Sequence, residues 1–307
     1  MNAWRLLTLA TLDASLNMAV DESLLRLHAQ GKSPPTVRFY RWAPPAVSLG
    51  RFQSLDSLDQ AACRRLGLMV VRRATGGRAV LHQGDLTYSV VAGTADGVPA
   101  TLGAAYRRLT DGLVQGLRLL GVEAEPGREA TGTAGPVVCF LRSAGGDLTH
   151  QGRKFAGSAQ SWRAESLLQH GSVLLAPQAE VWGELLGASA SESLRARLVS
   201  QTTSVGEVLG RPVEAEEVAQ ALARGLESVL EIRLESGALA PEEWALAQEI
   251  APTEFPALGA PEFDPRAGAP RSGREGGNPD VVCDKPPGEA PLKEKTIRSF
   301  SEELNTP

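Results

Sequence analysis

Residues 70–82 read Val70-Val71-Arg72-Arg73-Ala74-Thr75-Gly76-Gly77-Arg78-Ala79-Val80-Leu81-His82. A short apolar strand runs into two arginines, a Thr-Gly-Gly turn and a third arginine, and a second apolar segment ends in a histidine. Glycine lets backbone N–H groups approach a ligand closely, and such a turn can form a nest for an anion. Arginines beside it suit phosphate or carboxylate, which they hold through paired hydrogen bonds. The same letters also describe a β-hairpin with solvated arginines, and this stretch alone favours neither reading.

Further on, Gly152-Arg153-Lys154-Phe155-Ala156-Gly157-Ser158-Ala159-Gln160 brackets a lysine between glycines. It lacks the Gly-Lys-Ser/Thr ending of a phosphate-binding P-loop. The chain writes nearly all its cations as arginine; its lysines are Lys32, Lys154, Lys285, Lys293 and Lys295. An ammonium is a compact point charge and guanidinium a broad fork, so the two do not exchange freely in a tight pocket. With a substrate carbonyl lying against the glycines, Lys154 would polarise it and steady an oxyanion. Otherwise it is a surface lysine in a hairpin turn. Fifteen residues earlier stands Cys139, between Val137-Val138 and Phe140-Leu141. Those neighbours fit a buried, inert cysteine, whereas a nearby cation would raise its thiolate fraction and make it a nucleophile. A thiol and an ammonium brought together suit acyl transfer through a thioester.

His82 and His170 each sit at a strand edge, in Leu-His-Gln-Gly and Gln-His-Gly, and either is a base, an orienting donor or a structural histidine. Cys63, in a predicted helix, and Cys283, in the tail, read as bystanders. The three cysteines form neither a paired framework nor a CxxC pattern, and no histidine or aspartate cluster has metal-site spacing. A reducing cytoplasm is the expected setting. A formal net charge of -5 argues against non-specific nucleic-acid binding. No apolar run reaches the roughly 20 residues that span a bilayer, and Met1–Ala10, broken by Arg5, is too short for a signal peptide.

Helical spacing predicts an amphipathic helix over 15–30, a short helix at 55–66, a long one over 101–120 and others at 178–187, 213–229 and 241–250. Strands are predicted at Thr36–Trp42, Ala46–Leu49, Leu68–Arg72, Leu86–Val91, Val137–Leu141, Lys154–Trp162, Leu167–Leu175 and near 230–234. Without regular βαβ alternation, this order predicts an α+β fold. From Ala251 to about Pro291, Pro, Gly and charged residues dominate, so 251–292 reads as disordered, with a weak helix at 293–304.

The ensemble resembles the biotin/lipoate protein ligase and octanoyltransferase family. The resembling parts are Asn17-Met18-Ala19-Val20-Asp21-Glu22, Arg38–Trp42 through Pro44–Gly50, Arg72–His82, Gly152-Arg153-Lys154 and Gln169-His170-Gly171-Ser172. They occur in the family's order across residues 1–250, leaving 251–307 as a separate tail. The Cys139-Phe140 pair fifteen residues before Lys154 is similar to the cysteine-dependent octanoyltransferases of the family. ATP-dependent lipoate ligases share the arginine loop and the lysine but need no such cysteine. This chain departs from the pattern in lacking a Pro-Ser-x-Tyr-Glu-like stretch after Phe140, and in carrying Asp85 where glutamate is commoner.

The resemblance implies mixed β-sheets flanked by helices around an acyl tunnel. It implies transfer of octanoyl from acyl carrier protein to a lysine of a lipoyl carrier domain, in the glycine cleavage H protein or a 2-oxoacid dehydrogenase E2. Cys139 would be the nucleophile and Lys154 the oxyanion donor. Arg72, Thr75, Gly76, Gly77, Arg78, His82, Gly157, Ser158 and His170 would bind substrate. No cofactor or metal is expected; ATP and Mg would enter only in a lipoate ligase. Transfer of octanoyl or lipoyl between carrier domains and a non-catalytic acyl-binding role are the other readings.

Overall fold

Strand residues of alternating or continuous apolar character gather here into two sheets of mixed direction. The computed structural model describes residues 2–127, 147–187 and 192–259. Cys139, the strand expected at 137–141 and the tail from 260 onward lie outside the described residues.

The large sheet contains β1 (Asn2–Leu12), β2 (Thr36–Trp42), β6 (Asp85–Gly93), β7 (Glu125–Pro126), β8 (Leu148–His150), β9 (Arg153–Arg163), β10 (Ser166–Leu174) and β11 (Ile232–Ser236). Their order is β11-β1-β2-β6-β10-β9-β8-β7. β1 runs parallel to both of its neighbours, and the other pairs are antiparallel. The small sheet has β3 (Ala46–Leu49) at its centre, parallel to β4 (Met69–Arg72) and antiparallel to β5 (Val80–His82). This is the α+β arrangement expected.

Helices cover both faces of the large sheet. On one lie α3 (Leu102–Leu119) and α7 (Ala215–Leu230), with Leu109 and Leu222 packed on Trp4, Phe39 and Tyr88. These two helices meet backbone to backbone: a Cβ on Gly225 would stand 2.2 Å from the Gly116 nitrogen and 2.3 Å from the Gly112 carbonyl oxygen. No residue larger than glycine fits that crossing. On the other face lie α1 (Ala14–His28) and α8 (Pro241–Glu254), where Val20, Leu24 and Ile250 pack with Tyr40 and Val91. The small sheet forms a third cluster, Val47, Leu81, Trp182 and Leu198 among it, with α2 (Gln60–Arg65), α4 (Ala179–Leu185) and α5 (Glu192–Gln201). A one-turn helix, α6 (Val205–Leu209), leads toward α7.

Helix α1 starts where the Asp13 carboxylate accepts the Leu16 N–H at 2.8 Å, an N-cap. It is not amphipathic in the way its apolar spacing implies, because its polar residues Asn17, Asp21 and Ser23 are as buried as Val20 and Leu24. Residues 251–259, which composition assigns to the disordered tail, are also ordered differently. α8 continues through Glu254, and Ala251 and Phe255 are buried in the α1–α8 cluster.

Candidate active site

Where the small sheet meets β9 and β10, the fold leaves a narrow slot of about 430 Å³. Its surface is mainly apolar, from Met18, Tyr40, Trp42, Val80 and Ala159, with Ser48, His82, Thr87, Ser158, His170 and Ser172 among them.

Every one of these polar groups is held by another. His82 stacks on the Trp42 ring, centres 3.9 Å apart. Its Nδ1 donates to Asp85 Oδ2 at 2.9 Å, and its Nε2 accepts from the Ser48 hydroxyl at 2.9 Å. Asp85 Oδ2 also accepts from Ser172 at 2.7 Å and from Thr87 at 3.1 Å. Burial pushes the His82 pKa down, with Asp85 only partly offsetting it, so the ring is neutral.

A second buried network braces the far wall. Asp21 Oδ1 accepts from Arg38 and Ser89, each at 2.8 Å, and Oδ2 accepts from the Tyr40 hydroxyl at 2.8 Å and His170 Nδ1 at 3.1 Å. Burial alone would raise the Asp21 carboxyl; the His170 hydrogen bond and the Arg38 charge outweigh it and hold it below the ordinary range. With the His170 proton on Nδ1, Nε2 accepts the Thr75 hydroxyl at 2.6 Å. Helix α1 is thereby tied through His170 to the Thr-Gly-Gly turn.

That turn abuts the slot through Gly77. Arg73 donates to the Gly76 and Arg78 carbonyls, each at 2.8 Å, and to the Ser48 carbonyl at 2.9 Å. Gly77 has φ of +98°, a left-handed conformation natural to glycine. A Cβ on Gly50 would lie 2.0 Å from the Gly77 carbonyl oxygen, so the two loops touch backbone to backbone.

Lys154 is the second residue of β9, after a turn at Gln151-Gly152, and only 3% exposed. It is not a surface lysine. Its Nζ lies 2.8 Å from Asp147 Oδ2, and both side chains are 4% exposed. Gly157 lines the slot, and a Cβ there would lie 3.2 Å from Asp147 Oδ1 and 3.3 Å from Lys154 Nζ. With no side chain at Gly157, the ion pair packs directly against backbone that lines the slot.

Of the residues singled out from sequence, Gly77, His82, Gly157, Ser158 and His170 line the slot. Thr75, Gly76 and Arg78 stand behind it, joined to its walls through His170 and Arg73. Arg72 instead donates to the Gly50 and Arg51 carbonyls and lines a separate groove. Cys139 lies outside the described residues. Sequence reasoning missed Asp147, Asp21, Arg38 and Arg73. Asp21, Arg38 and Arg73 stand within the family-like motifs, but Asp147 follows a Gly-Gly pair with no marker of its own. Among the described residues no group of three His, Cys, Asp or Glu side chains is placed to hold a metal, and no helix is long and apolar enough to cross a membrane.

Mixed sheets closing on a narrow, mainly apolar slot, with a buried lysine behind its Gly157 wall, define a class. The chain belongs to the lipoyl protein ligase A/B catalytic-domain family, whose model matches residues 13–227. Among its relatives, octanoyltransferase LipM of Brevibacillus brevis is 37% identical over 268 residues, spanning 83% of this chain and 97% of that protein. A lipoate-protein ligase A structure bound with ATP superposes with a TM-score of 0.69 and 27% identity, covering 82% of this chain and 95% of its own. The bipartite lipoate protein ligase of Thermoplasma acidophilum, described with its E2 lipoyl domain, gives a TM-score of 0.70 and 25% identity, covering 82% and 93%.

Proposed function

We propose that this chain is an octanoyltransferase of lipoate biosynthesis, moving octanoyl from acyl carrier protein through a Cys139 thioester to a lysine of a lipoyl carrier domain. The observation that carries the reading is the buried Lys154–Asp147 pair set against the side-chain-free wall at Gly157. A carbonyl reaching that wall meets a fixed ammonium in a site largely closed to water, where such a donor acts most strongly on developing negative charge. Asp147 keeps the ammonium in place.

The Cys139 thiolate attacks the donor thioester carbonyl. Its carbon–sulfur bond forms as the carrier's sulfur leaves as thiolate and takes up the proton that Cys139 gave up. The acceptor lysine, as a neutral amine, then attacks the octanoyl-cysteine. An amide forms, Cys139 leaves, and the amine's proton passes to it. Both steps pass through an oxyanion that Lys154 steadies. The neutral His82, the Trp42 ring and Met18 accommodate the chain. No cofactor enters the reaction, and the acceptor is the H protein of glycine cleavage or an E2 lipoyl domain.

The test mixes the full chain with octanoyl-acyl carrier protein and apo-lipoyl domain, without ATP, and weighs all three proteins. Octanoyl on the lipoyl domain, and a transient octanoyl adduct on Cys139, are expected. Activity that requires ATP and free lipoate, and persists in Cys139→Ser, would make the chain a ligase. Octanoyl taken only from another lipoyl domain would make it an amidotransferase.

A further inference from the structure

Beside the slot, and sharing Arg73 with it, lies an open groove of about 1090 Å³. Its walls bring together Arg26, Arg51, Arg72, Arg73 and Arg163. Two carboxylates, Glu22 and Glu254, also line it. Arg26 bonds both of them, and Arg163 bonds Glu22. Five arginines less two glutamates leave three positive charges in excess, on a chain whose formal net charge is -5. The groove thus has the opposite sign to the chain around it.

One rim of the groove is stiff. Arg72 donates to the carbonyls of Gly50, Arg51 and Gln53, and the Arg51 N–H donates to the Thr75 carbonyl at 2.9 Å. On this braced loop Phe52 is 89% exposed, with the Arg51 guanidinium 5.6 Å from its ring centre. An exposed aromatic side chain beside an arginine, on a braced backbone, suits a protein contact, where both residue types are enriched.

We propose that this groove is the docking site of the acyl donor, a phosphate-bearing thioester arm on an acidic carrier domain; the proposal rests on the transferase reading above. The arm's phosphodiester lies among Arg51, Arg72 and Arg163, and the carrier domain packs on Phe52. Charge separates donor from acceptor. The acceptor's lysine side chain carries no phosphate for the arginines to hold, whereas a phosphodiester fits the guanidinium fork in two-point contact. Because Arg73 lines groove and slot alike, an arm lying in the groove carries its thioester to the slot.

The test is steady-state transfer by the full chain, Arg51→Glu, Arg51→Ala and Phe52→Ala, with melting curves to verify folding. Three donors are compared: octanoyl-acyl carrier protein, octanoyl-phosphopantetheine and octanoyl-pantetheine, which lacks the phosphate. In Arg51→Glu, kcat/KM for both phosphate-bearing donors should fall about tenfold relative to octanoyl-pantetheine, and less in Arg51→Ala. Phe52→Ala should penalise only the intact carrier protein. Added salt should weaken wild type on the carrier more than it weakens Arg51→Glu. Equal losses on all three donors, or an effect confined to the KM of the lipoyl domain, would overturn the docking assignment. With ATP added, release of AMP coupled to transfer would give the phosphate site to a nucleotide and overturn it too. Failure of wild type to transfer from any donor without ATP would sink the transferase reading, and this proposal with it.

Discussion

Lys154 Nζ and Asp147 Oδ2 lie 2.8 Å apart, with both side chains almost closed to solvent. Asp147 directly precedes β8 and Lys154 stands near the start of β9, so one hairpin supplies both halves of the pair. Removing two charges from water costs several kcal/mol for each ion, and attraction between them regains that only with good geometry. Burying an ion pair at a slot wall is a weak way to stabilise a fold and a direct way to hold a charge ready.

Lys154→Ala leaves Asp147 buried without its partner, and the fold should lose about 3–5 kcal/mol in urea unfolding. Octanoyl transfer should fall about a hundredfold to a thousandfold, the cost of one oxyanion donor. Lys154→Arg keeps the charge, but its planar fork does not fit the ammonium's place beside Gly157, so transfer should stay low while stability partly recovers. Recovery of both would count against an oxyanion role.

Gly157→Ala puts a methyl group 3.2 Å from Asp147 Oδ1 and 3.3 Å from Lys154 Nζ, displacing the pair by a few tenths of an ångström. Overpacking of this kind costs about 1–3 kcal/mol. The rate should suffer more than stability, since the methyl also covers the ammonium at the slot. Transfer kinetics and melting temperature measured on one preparation compare the two.

Thr75→Val removes the hydroxyl that His170 Nε2 accepts at 2.6 Å and leaves a buried acceptor unsatisfied. A stability loss of about 1–3 kcal/mol is expected. Because His170 links α1 to the Thr-Gly-Gly turn, the KM for the octanoyl donor should rise as well. Unchanged kinetics would show that the tether serves stability alone.

The folded pKa of His82 lies below the ordinary imidazole value of 6.5 because the ring is buried. An unfolded chain therefore binds a proton near pH 6.5 that the folded one refuses until lower pH. Stability is complete above that value and falls as pH drops from about 6.5 toward the folded pKa. Melting temperatures from pH 7.5 to 5 should decline over this window, and His82→Gln should flatten the slope.

Burial also pushes the Cys63 thiol up, so at neutral pH it is protonated and shielded. Iodoacetamide should label Cys63 slowly, and Cys63→Ser should keep transfer. Cys139→Ser should abolish both transfer and the octanoyl adduct. A fall in activity on replacing Cys63 would shift the nucleophile assignment.

Segments with regular periodicity were legible from sequence. Thr36–Trp42 and Ala46–Leu49 match their strands, and the long helix at 101–120 is α3. β1 escaped because a bulge between Leu7 and Ala10, with Leu9 at φ +49°, breaks its alternation. α5 escaped because Leu198 is its one buried residue. In the site, glycine turns and the isolated lysine are visible as letters. The pairing of Asp21 with Arg38, or of Lys154 with Asp147, needs the tertiary structure, since a charged residue in a sequence is ordinarily a solvated one. Composition likewise misjudged 251–255, where Ala251 and Phe255 reach the core from an otherwise polar stretch.

The parallel pairing of β1 with β11 has a consequence during synthesis. Asn2 pairs with Ile232, and Arg5 is held by Glu243 through bonds of 2.8 and 2.6 Å, with Glu243 also accepting from Ser33. During synthesis β1 finds its inner neighbour β2 early, but its outer neighbour β11 and its buried counterion Glu243 emerge more than 220 residues later. Contacts so distant in sequence close slowly, and until they do the nascent chain shows an open sheet edge. Shielding that edge falls to whatever receives the growing chain, so replacing Glu243 should lower the soluble yield before it lowers the activity of molecules that fold.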